Sequence, residues 1–239
     1  MKPELILFDL DDTLMAYDIV SNEAWDKATD QFIQENGIKT EKAILLEKIL
    51  EEKEKYRNDP ERFRIGRQNI YNSRREIVKL ALKDFLNIED NKLERFADNH
   101  TKIFESLWRL FDDSIETLEK IKKLNLKMGI VSNGTSENQR GKLKRFDIEK
   151  YFDYFYIEGE LGYGKPDIRV YEKMLQETKI DSKKIIMVGD HLEWDIEAPQ
   201  KLGIYSIWMN PGRLNIEDLQ IKPDRTIYKI SDILKIIET

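Results

Sequence analysis

The stretch Leu5-Ile-Leu-Phe-Asp-Leu-Asp-Asp-Thr13 decides the fold class. Its first four residues form a short apolar run, which is typical of a strand buried inside a parallel sheet. The run ends at once in Asp9, Asp11 and Asp12. Ligands of open α/β sheets bind beyond the carboxyl ends of the strands, so these carboxylates are predicted to lie at a functional edge.

The second half of the chain, after Phe111, alternates between apolar runs and helical patterns. The predicted strands cover residues 127–131, 154–157, 184–188 and 205–208, and the predicted helices cover 114–124, 137–146, 168–177 and 194–202. Strands that alternate with helices imply right-handed βαβ units and a parallel sheet covered on both faces. The predicted fold class is therefore α/β, with a Rossmann-like three-layer core.

Between the first strand and this alternation, the patterns are helical throughout. Predicted helices cover residues 22–36, 40–56, 68–86 and 91–110, and Gly37, Asp59-Pro60 and Asn87 separate them. The predicted organisation is a core made of residues 1–15 and 112–239, with residues 16–111 inserted as an all-helical domain.

Composition narrows the class of protein. The chain of 239 residues has a net charge of -6, so no global basic field favours a nucleic-acid polymer as partner. It contains no cysteine, which excludes disulfides, thiolate catalysis and zinc–thiolate sites. No run approaches the roughly 20 apolar residues of a membrane span. A cytoplasmic protein without a membrane partner is expected, and nothing in the sequence indicates an oligomeric state.

Polar residues follow the later strands as well. They are Ser132, Asn133 and Gly134 after residues 127–131, Lys165 after residues 154–157, and Asp190 and Asp195 after residues 184–188. Because the carboxyl ends of parallel strands meet at one edge of a sheet, these side chains are expected to converge with Asp9 and Asp11.

Convergent carboxylates predict a cation. Asp9, Asp11 and Asp190 would repel one another, and their pKa values would rise, unless a positive ion lies between them. Oxygen ligands without histidine or cysteine favour Mg²⁺, which binds substrate phosphate alongside one or two carboxylates. Magnesium is therefore the expected cofactor.

The neighbouring polar groups suit a phosphate. Ser132 offers a hydroxyl, and the backbone N–H groups of Asn133 and Gly134 are predicted to form a phosphate cradle. Lys165 adds a compact positive charge. A small phosphorylated molecule is therefore the expected partner.

Four clusters in this order resemble the four motifs of the haloacid dehalogenase superfamily. The matching segments are Asp9-Leu-Asp-Asp-Thr-Leu14, Ser132-Asn133, Lys165-Pro166 and Gly189-Asp-His-Leu-Glu-Trp-Asp195. The resemblance spans nearly the whole chain, and four ordered motifs are far more specific than one. The inserted helices are similar to the helical cap that such proteins carry between their first two motifs.

The resemblance implies a catalytic pair. Asp9 would be the nucleophile that forms an aspartyl-phosphate. Asp11 would protonate the leaving oxygen and then activate the hydrolytic water. Ser132, Asn133 and Lys165 would bind the phosphoryl group.

The resemblance also implies a set of metal ligands. Magnesium would be bound by the carboxylate of Asp9, the backbone carbonyl of Asp11 and Asp190. Asp195 would support the metal through water or from behind the direct ligands.

Together these features predict a magnesium-dependent phosphomonoester hydrolase that acts on a nucleoside monophosphate or a sugar phosphate. Residues 132–139, 151–153 and 189–196 are similar to pyrimidine 5′-nucleotidases and N-acylneuraminate 9-phosphate phosphatases. Asp11 disfavours a dehalogenase or a phosphonate-cleaving enzyme, since both lack this aspartate. Phosphoglucomutase-like transfer and a non-catalytic binding module are the alternatives.

Several residues receive a structural interpretation. Asp12 stands where many relatives carry glycine, and a local turn adjustment is expected there because aspartate tolerates turn geometries. The basic groups at residues 64–67, 74–75 and 142–145 are predicted to lie mostly on solvated helix faces. Asp11 fills the role of acid and base, so His191 is not expected to be catalytic.

Overall fold

A parallel sheet organises one part of the chain in the computed structural model, which describes residues 2–215 and 220–237. Its strands are β1 (Leu5–Phe8), β2 (Lys127–Ser132), β3 (Tyr154–Ile157), β4 (Ile185–Gly189), β5 (Tyr205–Met209) and β6 (Arg225–Ile227). They lie in the order β3-β2-β1-β4-β5-β6, and every neighbouring pair is parallel. The predicted α/β fold class is confirmed.

Residues Tyr17–Arg109 form a separate helical unit. Its helices are α1 (Tyr17–Asn36), α2 (Lys42–Arg57), α3 (Pro60–Gly66), α4 (Ile70–Leu86) and α5 (Asp90–Leu107). Apolar residues at helical spacing, such as Trp25, Ala28 and Phe32 of α1, pack against one another in its core. Asp59 caps α3 by accepting the backbone N–H groups of Glu61 and Arg62.

The remaining described residues form the α/β unit. Its helices are α6 (Ser114–Lys123), α7 (Ser136–Arg145), α8 (Glu158–Leu161), α9 (Arg169–Thr178), α10 (Ala198–Gln200) and α11 (Ile233–Ile237). Short 3₁₀ turns occur at Glu149–Tyr151, Ser182–Lys184 and Ile230–Asp232, and a π-helix covers Leu192–Glu197. None of the described helices is long and apolar enough to cross a bilayer.

The position of β1 within the sheet explains where its acids emerge. Leu5 and Leu7 pack in one cluster with Val170 of α9, and the alternation of a strand directs Ile6 and Phe8 to the opposite face. β1 lies between β2 and β4. The strands β2 and β3 extend the sheet on one side of β1, and β4, β5 and β6 extend it on the other, so the strand order reverses direction at β1. Ligands of such sheets bind at this change of direction.

The shortest elements were not predicted, and one helix differs from its prediction. β6, α3 and α8 contain too few residues to establish a periodic pattern. The helix predicted over residues 194–202 is a π-helix followed by the short α10. The wider π turn accompanies Asp195, whose carboxylate accepts the backbone N–H of His191 at 3.1 Å, and such turns are frequent at functional sites.

Candidate active site

Asp9 lies at the centre of a buried ion cluster. It follows β1 directly, and its backbone N–H donates to the carbonyl of Val188 at 2.9 Å. The Nζ of Lys165 lies 2.7 Å from Asp9 Oδ1 and 2.6 Å from Asp195 Oδ1. All three side chains are buried. One ammonium group therefore fixes two carboxylates that are far apart in the sequence.

The close approach of Asp195 depends on a glycine. A Cβ at Gly189 would lie 2.2 Å from the carboxylate carbon of Asp195, which no side chain could tolerate. Because residue 189 lacks a Cβ, the Asp195 carboxylate can lie directly against the end of β4. Glycine is therefore required at position 189 for steric reasons.

Three carboxylates offer a cation site. Asp9, Asp190 and Asp195 each present one oxygen, and these atoms lie within 4.8 Å of one another. Burial raises the pKa of Asp9 to about 7, although Lys165 opposes the rise. Burial, followed by the charges of Asp9 and Asp195, raises the pKa of Asp190 well above its ordinary value.

The charge balance of this cluster fits a divalent metal. Burial alone would lower the pKa of Lys165, but Asp195 and Asp9 raise it above its ordinary value, so this group stays positive. One ammonium is left beside three carboxylates, and an added cation would favour their charged forms. Carboxylate oxygens in a cluster without histidine or cysteine are the donors that magnesium prefers.

Asp11 is held by a different set of residues. The Nζ of Lys142 lies 2.7 Å from both carboxylate oxygens of Asp11 and 2.7 Å from Gln139 Oε1. Gln139 Nε2 donates to Asp11 Oδ2 at 3.1 Å and to Ser132 Oγ at 2.5 Å. The two acids of the first motif therefore have separate cationic partners.

The prediction that residues 142–145 are solvated is wrong for Lys142, which is 1% exposed. Gln139 and Lys142 are both buried on the face of α7 that carries Leu143. The sequence patterns marked neither residue as part of the site. The available signal was the helical spacing, since Gln139 lies four residues before the buried Leu143 and so shares its face.

The loop after β2 differs from its prediction in one contact. The Gly134 N–H donates to Glu158 Oε2 at 2.9 Å, so its predicted place in a phosphate cradle is wrong. The Asn133 side chain donates to the carbonyl of Lys165 and accepts its N–H, both at 2.7 Å. Asn133 thereby joins the loops after β2 and β3, and its backbone N–H as a phosphate donor stays a prediction.

Asp12 adopts the turn geometry expected of it. Its φ angle is 55°, in the left-handed region that favours glycine and that aspartate tolerates. The predicted local adjustment is confirmed. Nearby, the rings of His191 and Trp194 stack with their centroids 4.0 Å apart.

Comparisons with known proteins agree with this geometry. Residues 3–203 match the model of the haloacid dehalogenase-like hydrolases. The chain is 27% identical to a pyrimidine 5′-nucleotidase of Streptococcus pneumoniae, over 98% of this chain and 95% of that protein. It is 26% identical to a glyceraldehyde 3-phosphate phosphatase of Methanocaldococcus jannaschii, over 98% and 96%.

A solved structure shares the fold over the full length of both chains. It is the HAD-hydrolase YfnB from Bacillus subtilis bound to magnesium, with a TM-score of 0.78, 18% sequence identity and 100% coverage of each chain. At this identity the likeness concerns the fold alone.

Proposed function

The chain belongs to the haloacid dehalogenase-like hydrolase family, and on that premise we propose that it is a magnesium-dependent phosphatase with Asp9 as its nucleophile. The observation that carries this proposal is the pairing of two differently held acids. Asp9 lies beside Lys165, while Asp11 is held by Lys142 and Gln139. A nucleophile and a separate acid–base group are what phosphate-ester hydrolysis through a covalent intermediate requires.

The reaction proceeds in two displacements. A carboxylate oxygen of Asp9 attacks phosphorus, and the bond between phosphorus and the ester oxygen breaks as Asp11 gives that oxygen its proton. Asp11 then accepts a proton from water, whose oxygen attacks the phosphorus of the aspartyl-phosphate. The bond to Asp9 breaks, and inorganic phosphate leaves.

Three groups bind the transferring phosphoryl. Lys165 supplies a positive charge, Ser132 a hydroxyl and Asn133 its backbone N–H. Ser132 is 2% exposed and ends β2. Fixed donors and charges in a site with little water stabilise developing charge more strongly than solvent does.

Magnesium would be held by the carboxylate of Asp9, the backbone carbonyl of Asp11 and Asp190. Asp195 would lie outside these direct ligands and help to position them. When bound, it supplies positive charge that offsets the phosphoryl oxygens. The raised pKa values of Asp9 and Asp190 in the metal-free site support this assignment.

We expect magnesium binding to depend on pH. The pKa of Asp9 is raised from its ordinary 3.8 to about 7, so the metal-free folded protein binds this proton more tightly than the unfolded chain does. Metal-free stability should therefore fall as pH rises from about 4 to about 7. Magnesium displaces the proton, so its apparent affinity should tighten by up to about tenfold per pH unit in this window and level off above it.

Thermal unfolding with chelator and with saturating Mg²⁺, at pH 5, 6, 7 and 8, measures both effects. The rise in Tm caused by Mg²⁺ should grow with pH up to about 7 and then stay constant. A rise of the same size at every pH would contradict the assignment of Asp9 as a ligand.

The substrate class is a small phosphorylated metabolite, either a nucleoside monophosphate or a sugar phosphate. Support comes from the relatives named as a pyrimidine 5′-nucleotidase and a glyceraldehyde 3-phosphate phosphatase. The test is release of inorganic phosphate from a panel of both classes and from an aryl phosphate, with Mg²⁺ and with chelator. Isomerisation of a sugar phosphate without phosphate release would identify a mutase instead.

We expect Lys142→Met to lower kcat by on the order of 100-fold, because Asp11 would lose the ammonium that contacts both of its oxygens. KM should change little, since the phosphoryl-binding groups are untouched. Lys142→Arg should recover part of the rate. Lys144→Met is the matched control, because Lys144 is exposed on the same helix. A loss confined to KM would contradict a role in positioning Asp11.

A further inference from the structure

The peptide group between Asp190 and His191 is held from both sides. Its carbonyl, on Asp190, accepts the indole N–H of Trp208 at 2.7 Å. Its N–H, on His191, donates to Asp195 Oδ2 at 3.1 Å. Because a peptide group is planar, hydrogen bonds on its two opposite edges fix the orientation of the whole plane. This restricts the directions in which the Asp190 side chain can leave the backbone.

The sheet brings Trp208 to this carbonyl. Trp208 lies on β5 opposite Gly189, the last residue of β4, and is only 3% exposed. An indole N–H is a donor only, and a buried one usually finds a partner. The carbonyl of Asp190 follows the end of β4 directly. The side chain of the neighbouring strand therefore supplies a donor just where the strand ends.

A second aromatic residue holds the other end of the same segment. In the π-helix, the N–H of Ala198 donates to the carbonyl of Glu193, five positions earlier. The next bond of this kind would run from residue 199 to the carbonyl of Trp194, but Pro199 has no N–H. The hydroxyl of Tyr171 on α9 donates to that carbonyl instead, at 2.8 Å. Tyr171 thus fixes the backbone next to Asp195.

These contacts oppose an electrostatic force. Asp9, Asp190 and Asp195 present oxygens within 4.8 Å of one another, and carboxylates at this separation repel when they are charged. Residues 190–195 would move apart from Asp9 if nothing held them. Burial, followed by the charges of Asp195 and Asp9, raises the pKa of Tyr171 well above its ordinary value, so its hydroxyl keeps the proton that it donates.

We propose that Trp208 and Tyr171 are positioning residues that hold residues 190–195 in the arrangement that binds Mg²⁺. Both belong to the α/β unit, and both act through backbone carbonyls. Neither is a metal ligand in this assignment. Removing either hydrogen bond should therefore weaken metal binding while every ligand remains. The role of the metal rests on the proposed function, whereas the hold on the segment does not.

Metal affinity is the first test, measured by calorimetric titration of Mg²⁺ into metal-free protein. We expect Trp208→Phe and Tyr171→Phe each to weaken the binding of Mg²⁺ by about 10- to 100-fold. Ile207→Ala is the matched control, because it removes as many heavy atoms as Trp208→Phe from a buried side chain of β5. It should lower the Tm and leave Mg²⁺ affinity unchanged. Unchanged affinity in either aromatic variant, or an equal loss in the control, would overturn the proposal.

Kinetics distinguish positioning of the metal site from a general loss of structure. In both aromatic variants, the Mg²⁺ concentration that gives half-maximal activity should rise by the same factor as the dissociation constant. The kcat at saturating Mg²⁺ should return close to the wild-type value, because bound metal restores the arrangement. A lowered kcat with an unchanged dependence on Mg²⁺ would contradict the assignment.

Amide hydrogen exchange of the metal-free protein, followed by NMR, separates this inference from the proposed function. The His191 amide should exchange about 5- to 150-fold faster in both aromatic variants, while the amide of Met187 within β4 serves as internal control. If wild type bound no Mg²⁺ but His191 responded in this way, the proposed function would fail and the hold on residues 190–195 would stand. Equal exchange of His191 in all proteins would overturn it. If Trp208→Phe fails to fold, Tyr171→Phe removes only a hydroxyl and decides on the same measurements.

Discussion

Asp9→Asn is expected to lower the kcat for phosphate-ester hydrolysis by on the order of 10⁴-fold or more, because an amide cannot form the aspartyl-phosphate. The substitution preserves the shape of a side chain that is only 7% exposed. Lys165 keeps its second partner, Asp195, at 2.6 Å. The variant should therefore remain folded, and its loss of rate should report chemistry. Steady-state assays with an aryl phosphate at saturating Mg²⁺ measure the effect.

A matched control is Glu116→Gln, which removes an exposed carboxylate from α6 of the same unit and should retain wild-type activity. Rapid acid quench of the wild type with labelled substrate should trap one phosphoryl group on Asp9. A single turnover in ¹⁸O-water should place the heavy oxygen in the released phosphate and not in the protein. Near wild-type activity of Asp9→Asn would refute phosphoryl transfer to this residue, and ¹⁸O in the Asp9 carboxylate would refute attack of water on phosphorus.

Asp11→Asn is expected to lower kcat by about 10²- to 10⁴-fold through loss of the general acid and base. The two displacements should respond differently. An aryloxide is a good leaving group and departs without a proton. The first step therefore stays fast with an aryl phosphate, and the phosphorylated enzyme accumulates. An alkyl phosphate needs the proton, so its first step becomes slow.

Stopped-flow measurement should consequently show a burst of aryl alcohol equal to the enzyme concentration, followed by slow turnover. An alkyl phosphate should give no burst. Asp12→Asn is a useful control, since it changes the adjacent acid and the same turn while leaving the Asp11 carboxylate with Lys142 and Gln139. Equal losses on aryl and alkyl substrates, without a burst, would contradict the acid–base role of Asp11.

The two acids are expected to behave differently in these experiments because their surroundings differ. Asp9 shares an ammonium with Asp195 and has a pKa raised to about 7 by burial. The side chain of Asp11 is 26% exposed, and Lys142 and Gln139 of α7 hold its carboxylate. A carboxylate that attacks phosphorus must keep one position, whereas a proton carrier must reach both the leaving oxygen and water.

Much of the fold could be predicted from local patterns. β1 and β3 have the predicted bounds, β2 and β5 each extend one residue further, and β4 is shifted by one residue at both ends. Apolar runs of this length followed by acids, serine or glycine are local signals that need no knowledge of distant residues. The three residues of β6 gave no such signal, because only Ile227 among them is buried.

The residues of the candidate site likewise include some that local patterns indicate and some that they do not. The sequence indicated Asp9, Asp11, Ser132, Lys165 and Asp190, because each follows a predicted strand and the carboxyl ends of parallel strands share one edge. Gln139 and Lys142 lie inside a helix that is otherwise rich in charge. Helical spacing groups Gln139 and Lys142 with the buried Leu143, but it does not show that this face meets Asp11.

By itself, the sequence determined the parallel sheet, the helical insertion and the acids at the strand ends, since periodicity and turn chemistry are properties of neighbouring residues. Only the tertiary structure decided which charges are buried and what each one contacts. Lys142 meets Asp11 across 131 positions of the chain, and Arg74, which the sequence predicted to be solvated, is only 6% exposed. The free energy of a charged side chain depends on burial and on nearby charges, and both are set by residues that only folding brings together.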